Sequence, residues 1–172
     1  MKYPIGIQTF SQIIENGFVY VDKTDLVYSL ATEGKVYFLS RPRRFGKSLL
    51  LSTLRAYFEG KRDLFKGLKI DSLEKEWHQH TVFHIDFNGT NFTEPEALNM
   101  KIEGYIHDWE KIYGITPEVD FNLGSRFEKV LRAAYETSGR GAVVLIDEYD
   151  KPLLDVLEKD PELLDKNREI LK

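Results

Sequence analysis

The sequence predicts an α/β fold in which helices layer on a mostly parallel sheet. Three observations carry this. Segments of strand length alternate with amphipathic segments of helix length, the order that builds layered sheets. The run Ala142-Val143-Val144-Leu145-Ile146 is apolar throughout, as a strand covered on both faces is. Finally, Ser or Thr followed three residues later by Glu or Gln marks helix starts at Thr9/Gln12, Thr93/Glu96 and Ser125/Glu128.

Composition narrows the function classes. The chain has 172 residues, enough for one domain with a core, and its 42% apolar and 30% charged content is that of a globular protein. It has no Cys, which excludes a disulfide framework and thiolate metal sites and is consistent with a reducing, cytoplasmic setting. The first residues lack the apolar core of a secretion signal, and no apolar run reaches the length of a membrane span, so no membrane partner is expected. Net charge is −4, so the chain as a whole does not suit a polyanion and any phosphate binding is local.

In chain order, Thr9 opens a short helix that Gly17 stops, and Phe18-Val19-Tyr20-Val21 is extended. A helix over 24–34 places Leu26, Val27, Leu30 and Ala31 on one face. Lys35-Val36-Tyr37-Phe38-Leu39-Ser40 has the length and the β-branched and aromatic content of a strand. A helix over 48–59 turns Leu50, Leu51, Leu54 and Phe58 inward, and short helical turns fill 61–79. A strand covers 81–87. A long helix after Thr93 carries Leu98, Ile102, Ile106, Trp109 and Ile112 at helical spacing. Another, opened by Ser125 and stopped by Gly139, buries Phe127, Val130, Leu131, Ala134 and Tyr135. Beyond Pro152 the pattern is helical, with Pro161 as a break or a second helix start.

Two motifs carry chemistry. A phosphate-binding loop needs a strand to deliver it, small residues that turn backbone N–H groups toward the anion, and a helix starting at once behind it. Arg41-Pro42-Arg43-Arg44-Phe45-Gly46-Lys47-Ser48 sits between a predicted strand and a predicted helix. Lys47 would reach the β- and γ-phosphates of a nucleotide, Ser48 would bind Mg²⁺, and the amides of Phe45, Gly46, Lys47, Ser48 and Leu49 would cradle the β-phosphate. Arg43 and Arg44 could touch the γ-phosphate, a partner subunit or nucleic acid. The usual signature has Gly where Arg41 stands, so this loop is a variant.

The second motif is Val143-Val144-Leu145-Ile146-Asp147-Glu148, acidic at the carboxyl end of a strand, where open α/β sheets bind ligands. Asp147 is placed to hold Mg²⁺ with Ser48, and Glu148 to polarise the attacking water. Two adjacent carboxylates repel, and a divalent cation offsets that repulsion.

Tyr20-Val21-Asp22-Lys23-Thr24, the loop with its preceding Phe38-Leu39-Ser40, and Leu145-Ile146-Asp147-Glu148-Tyr149-Asp150-Lys151-Pro152 together resemble the bacterial AAA-ATPase-like family over nearly the whole chain. In that family the Arg-Pro-Arg-Arg-Phe-Gly-Lys-Ser form is usual. The resemblance implies ATP and Mg²⁺ as cofactors, ATP hydrolysis, and a P-loop NTPase-type three-layer α/β sandwich. It also implies a C-terminal PD-(D/E)XK nuclease-like domain as partner in a longer protein. On the family pattern a strand bearing a polar sensor residue follows the helix after Pro152. It would lie between the 35–40 and 142–146 strands, so residues 1–172 are expected to be the N-terminal part of the ATPase domain. An apolar edge left open there invites self-association.

Other residues are weaker candidates. His78, His80 and His84 are closely spaced but most simply solvated. Asp86 could face the site or cap a loop. Asp22 and Thr24 suit a base pocket and helix caps equally. A nucleotide switch without hydrolysis, or a scaffold for the nuclease-like domain, is the alternative to an ATPase; Glu148 favours hydrolysis, because a pure binder does not need it. The guanine-reading Asn-Lys-x-Asp motif is missing from the sequence, which disfavours GTP.

Overall fold

The structure is a computed structural model and describes residues 1–42, 45–116 and 122–172. It divides into two compact units, Met1–Val82 and Phe83–Lys172.

The first unit is helical. It contains α1 (Phe10–Glu15), α2 (Thr24–Glu33), α3 (Lys47–Phe58), a 3₁₀ turn (Arg62–Phe65) and α4 (Lys69–Leu73). Its core joins Phe10, Val27, Ala56, Tyr57, Phe65 and Ile70. Three of those six are aromatic, and the Phe10 and Phe65 centroids lie 4.8 Å apart. The stripe of α3 is rotated from the expected one. Thr53, Ala56 and Tyr57 are its buried residues, while Leu50, Leu54 and Phe58 are only partly covered. In α2, Val27 is buried but Leu26 faces out.

Two polar side chains knit this unit. Asp22 Oδ1 accepts from the Thr24 amide and hydroxyl, and its Oδ2 accepts from the Lys69 amide at 2.8 Å. Thr24 Oγ1 accepts in turn from the Ile70 amide at 3.1 Å. Asp22 thus satisfies the first amide of both α2 and α4, Thr24 the second amide of α4, and Thr24 is fully buried.

Residues 35–40 do not form the expected strand. Val36 is 92% exposed and Phe38 79%. A β-rich sequence becomes a strand only against a neighbour that completes its ladder and covers a face. Among the described residues the sheet is two-stranded, β1 (Val82–Asp86) beside β2 (Val143–Asp147), and does not include this run.

The second unit, entered within β1, is a β–α–α–β crossover with two added helices. β1 and β2 are parallel. Between them run α5 (Ala97–Tyr113) and α6 (Leu123–Ser138), and α7 (Lys151–Leu154) and α8 (Pro161–Ile170) follow. Phe83 on β1 packs with Ile106, Val130 and Ala134, while Ile85 and Phe87 pack with Phe92 and Leu98. β2 is not covered on both faces as expected: Val144 and Ile146 are about 40% exposed, on the same side, because strand residues two apart share a face. Pro161 is a helix start, with the Asp160 side chain capping the Leu163 amide.

The expected capping boxes do not form. Thr9 precedes α1 without a side-chain cap, and α5 begins at Ala97, with the Thr93 amide and hydroxyl bonded to Asn91 Oδ1 instead. At α6, Asn122 lies nearer the turn and its Oδ1 accepts from the Ser125 amide at 2.9 Å. Within the α5–α6 pair, Arg126 forks onto buried Glu110, Nε to Oε1 at 2.8 Å and Nη2 to Oε2 at 2.7 Å. Its Nη1 reaches Glu103 at 3.0 Å.

Candidate functional site

The basic loop lies in the first unit. Gly46 has φ 72, the left-handed region that glycine enters without cost, and an added Cβ there would meet nothing within 4 Å. That turn swings the chain directly into α3. The Leu50 amide bonds the Gly46 carbonyl at 3.0 Å and so begins the helix ladder. The N-cap residue of α3 is Gly46, which has no side chain to cap it, so among the described residues the orphan amides of the first turn stand at the positive end of the helix dipole. The Lys47 ammonium donates to the Arg41 carbonyl at 3.1 Å and closes the loop across its mouth. The Phe45 amide donates to the Pro42 carbonyl at 3.4 Å, so in this conformation it serves the loop itself. Phe45 is exposed, and Ser48 and Leu49 are half-buried. Arg43 and Arg44 lie outside the described residues.

The acidic turn lies in the second unit. Asp147 ends β2 almost fully buried, and its carbonyl accepts from the Phe87 amide at 3.2 Å. Asp147 Oδ1 accepts from the Glu148 amide at 3.0 Å, which orients the carboxylate. Glu148 has φ 52 without being glycine. Such a conformation costs roughly 1–2 kcal/mol and concentrates at functional turns. The Glu148 carbonyl accepts from the Lys151 amide at 2.9 Å, closing the turn into α7.

Each unit, taken by itself, holds donors of a kind that a magnesium nucleotide uses. The uncapped helix start, the glycine turn and the Lys47 charge suit a phosphate. The Ser48 hydroxyl and the Asp147 carboxylate are hard oxygen ligands. Among the described residues no group of three or more His, Cys, Asp or Glu forms a ready metal cage. Mg²⁺ does not need one, because it keeps waters and takes phosphate oxygens as ligands.

Several weaker candidates have structural roles. Asp86 Oδ1 accepts from the Asn88 amide at 2.8 Å and caps the loop after β1. Asp22 and Thr24 satisfy helix-start amides, as described. His78 pairs with Glu76. Three features escaped sequence reasoning: the left-handed Glu148, the Glu110–Arg126 pair, and the Lys151–Asp155 pair in α7. Only the last leaves a local signal, opposite charges four residues apart.

The described residues form an α/β protein, with helices and a two-stranded parallel sheet. The chain belongs to the AAA-ATPase-like family, described as a predicted AAA-ATPase, whose profile matches residues 4–172. An uncharacterized protein in the vnfD 5′ region of Azotobacter chroococcum mcd 1 is 42% identical over 172 residues. The match covers 99% of this chain and 33% of that relative, so the chain spans a third of its length. No solved structure matches the chain. Among the described residues no helix is long and apolar enough to cross a membrane.

Proposed function

We propose that the chain binds ATP with Mg²⁺ and hydrolyses it to ADP and phosphate. The observation that carries this reading is the loop at α3. A left-handed Gly46 turns the chain into an uncapped helix, and the Lys47 ammonium is held over the loop by a backbone carbonyl that a phosphate oxygen can replace. Membership of the AAA-ATPase-like family supports it. In this reading the amides from Phe45 to Leu49 hold the β-phosphate. Lys47 neutralises the β- and γ-oxygens as charge develops on them. Ser48 and Asp147 would each offer an oxygen to Mg²⁺, which when bound would supply electrostatic stabilisation of the transferred phosphoryl group. Glu148 orients the attacking water and accepts its proton. Arg43 and Arg44 add positive charge around the γ-phosphate. In a longer protein a C-terminal nuclease-like domain is the partner that nucleotide turnover would control. The exposed 36–39 run supports self-association through an added strand.

ATP affinity and phosphate release measured on wild type, Lys47→Ala and Glu148→Gln test the assignment. Lys47→Ala should weaken nucleotide binding by about tenfold or more, the loss of a charge-assisted contact. Glu148→Gln should bind ATP and stop releasing phosphate. Unchanged affinity in Lys47→Ala would refute the phosphate-loop assignment, and full turnover in Glu148→Gln would remove its catalytic role.

A further inference from the structure

The second unit holds a closed circuit of contacts around the acidic turn. Ahead of Glu148, Asp147 is fixed to the Phe87 amide. Behind it, the Glu148 carbonyl accepts from the Lys151 amide. The Lys151 ammonium pairs with Asp155 at 2.5 Å, one helical turn on, and lies over the Phe92 ring, 5.4 Å from its centroid. The same Asp155 oxygen, Oδ2, accepts from the Phe92 amide at 3.3 Å. Phe92 is fully buried, and its ring packs edge-on against Phe87 with centroids 5.8 Å apart, which returns the circuit to Asp147. From the other side, Asn167 of α8 donates its Nδ2 to the Pro152 carbonyl at 2.9 Å, pinning α7.

An ordinary surface pair four residues apart would stiffen α7 and nothing else. This pair differs in two ways. Both side chains are about three-quarters covered, and the shared Asp155 oxygen grips the backbone of the segment after β1. Burial works against the Asp155 charge, but the hydrogen bonds from Lys151 and Phe92 outweigh it and hold the carboxyl below its ordinary range. A non-glycine residue in the left-handed region persists only where its surroundings over-determine it, and this circuit holds the chain on both sides of Glu148.

We propose that Lys151 and Asp155 are positioning residues that fix the turn aiming Glu148 at the attacking water, so that they set turnover and leave nucleotide affinity alone. This role rests on the ATPase reading above. The test uses the whole chain, with steady-state kcat and KM for MgATP and NMR amide exchange at Lys151 and Phe92. The variants are Lys151→Met, Asp155→Ala and Lys151→Arg, with Lys47→Ala alongside. Lys151→Met and Asp155→Ala should lower kcat about tenfold with KM within about twofold, since misplacing one group costs rate and not ground-state binding. Exchange at both amides should quicken about tenfold, and Lys151→Arg should keep most of the turnover. Undiminished kcat in Lys151→Met, kcat and KM moving together, or unchanged exchange each overturns the role. Where Asp155→Ala does not fold, Lys151→Met decides, because Met keeps the stem against Phe92. If Lys47→Ala abolishes binding while Lys151→Met turns over normally, only the positioning role falls. If Lys47→Ala changes neither binding nor turnover, the ATPase reading falls and takes this role with it.

Discussion

Replacing Arg126 by Met leaves the Glu110 carboxylate inside the second unit without the fork that satisfies both its oxygens. Glu110 is 1% exposed, and the two bonds it loses are 2.8 and 2.7 Å long. Breaking a buried pair from one side costs about 3–5 kcal/mol, because the remaining charge keeps its desolvation cost. Arg126 is 9% exposed, so water can reach the gap and the lower end, about 3 kcal/mol, applies. For a unit of this size that lowers Tm by on the order of 12 °C or more. The Glu103 contact is solvent-facing and adds little.

The pH dependence gives a sharper check. In the wild type, hydrogen bonds from Arg126 lower the Glu110 carboxyl; burial opposes them, and the charges of Arg126, His107 and Lys129 add to the lowering. A lowered folded value means stability that is present above the unfolded value and lost as pH falls through the folded one. Without Arg126, burial dominates and the carboxyl rises. The folded state then binds a proton that the unfolded state has released, so stability falls as pH rises. Between about pH 4.5 and 7 the wild type should be flat or gain stability, and Arg126→Met should lose it. Thermal and urea unfolding followed by circular dichroism across that range measure both slopes. A loss under about 1 kcal/mol at pH 7, or a variant that keeps the wild-type slope, would refute the reasoning. Arg126→Met with Glu110→Met should recover most of the loss, since neither charge is then buried.

Three smaller perturbations probe other contacts. Thr24→Val keeps the shape but strands the Ile70 amide and removes a donor to Asp22, so the urea midpoint should fall by the equivalent of about 1–3 kcal/mol. Gly46→Ala meets no steric obstacle yet strains the backbone by about 1 kcal/mol, so nucleotide affinity should drop while Tm moves by only a few degrees. Asn122→Ala removes the cap of α6 and should cost about 1 kcal/mol in chemical denaturation, whereas Ser125→Ala, which loses no cap, should cost almost nothing.

Long amphipathic helices were legible because their spacing is a property of the sequence alone. α5 and α6 lie close to where periodicity put them, as do β1 and β2. The run 35–40 was not, because a strand is a relation between two segments and its composition describes only one. Capping was misread for a related reason. Thr93 is taken by Asn91 and Ser125 by Asn122, and short-range patterns do not rank such competitors. Lys47, Ser48 and Asp147 could be placed from their motifs, since α3 begins at Lys47 and β2 ends at Asp147. The left-handed Glu148 could not, since a non-glycine residue takes that conformation only under tertiary contacts. The structural role of Asp22 and Thr24 was invisible locally, because the amides they accept from lie 47 and 46 residues further along.

Those two distant bonds also bear on how the first unit comes together. They form only after the chain has closed on itself across 47 and 46 residues, which sets aside about 3 kcal/mol of chain entropy before any other contact is counted. Everything between, including residues 41–46 and the whole of α3, then belongs to a ring whose ends are tied. In the proposed reading an incoming anion meets a segment whose two ends these bonds already hold, so the core stays shut while it binds.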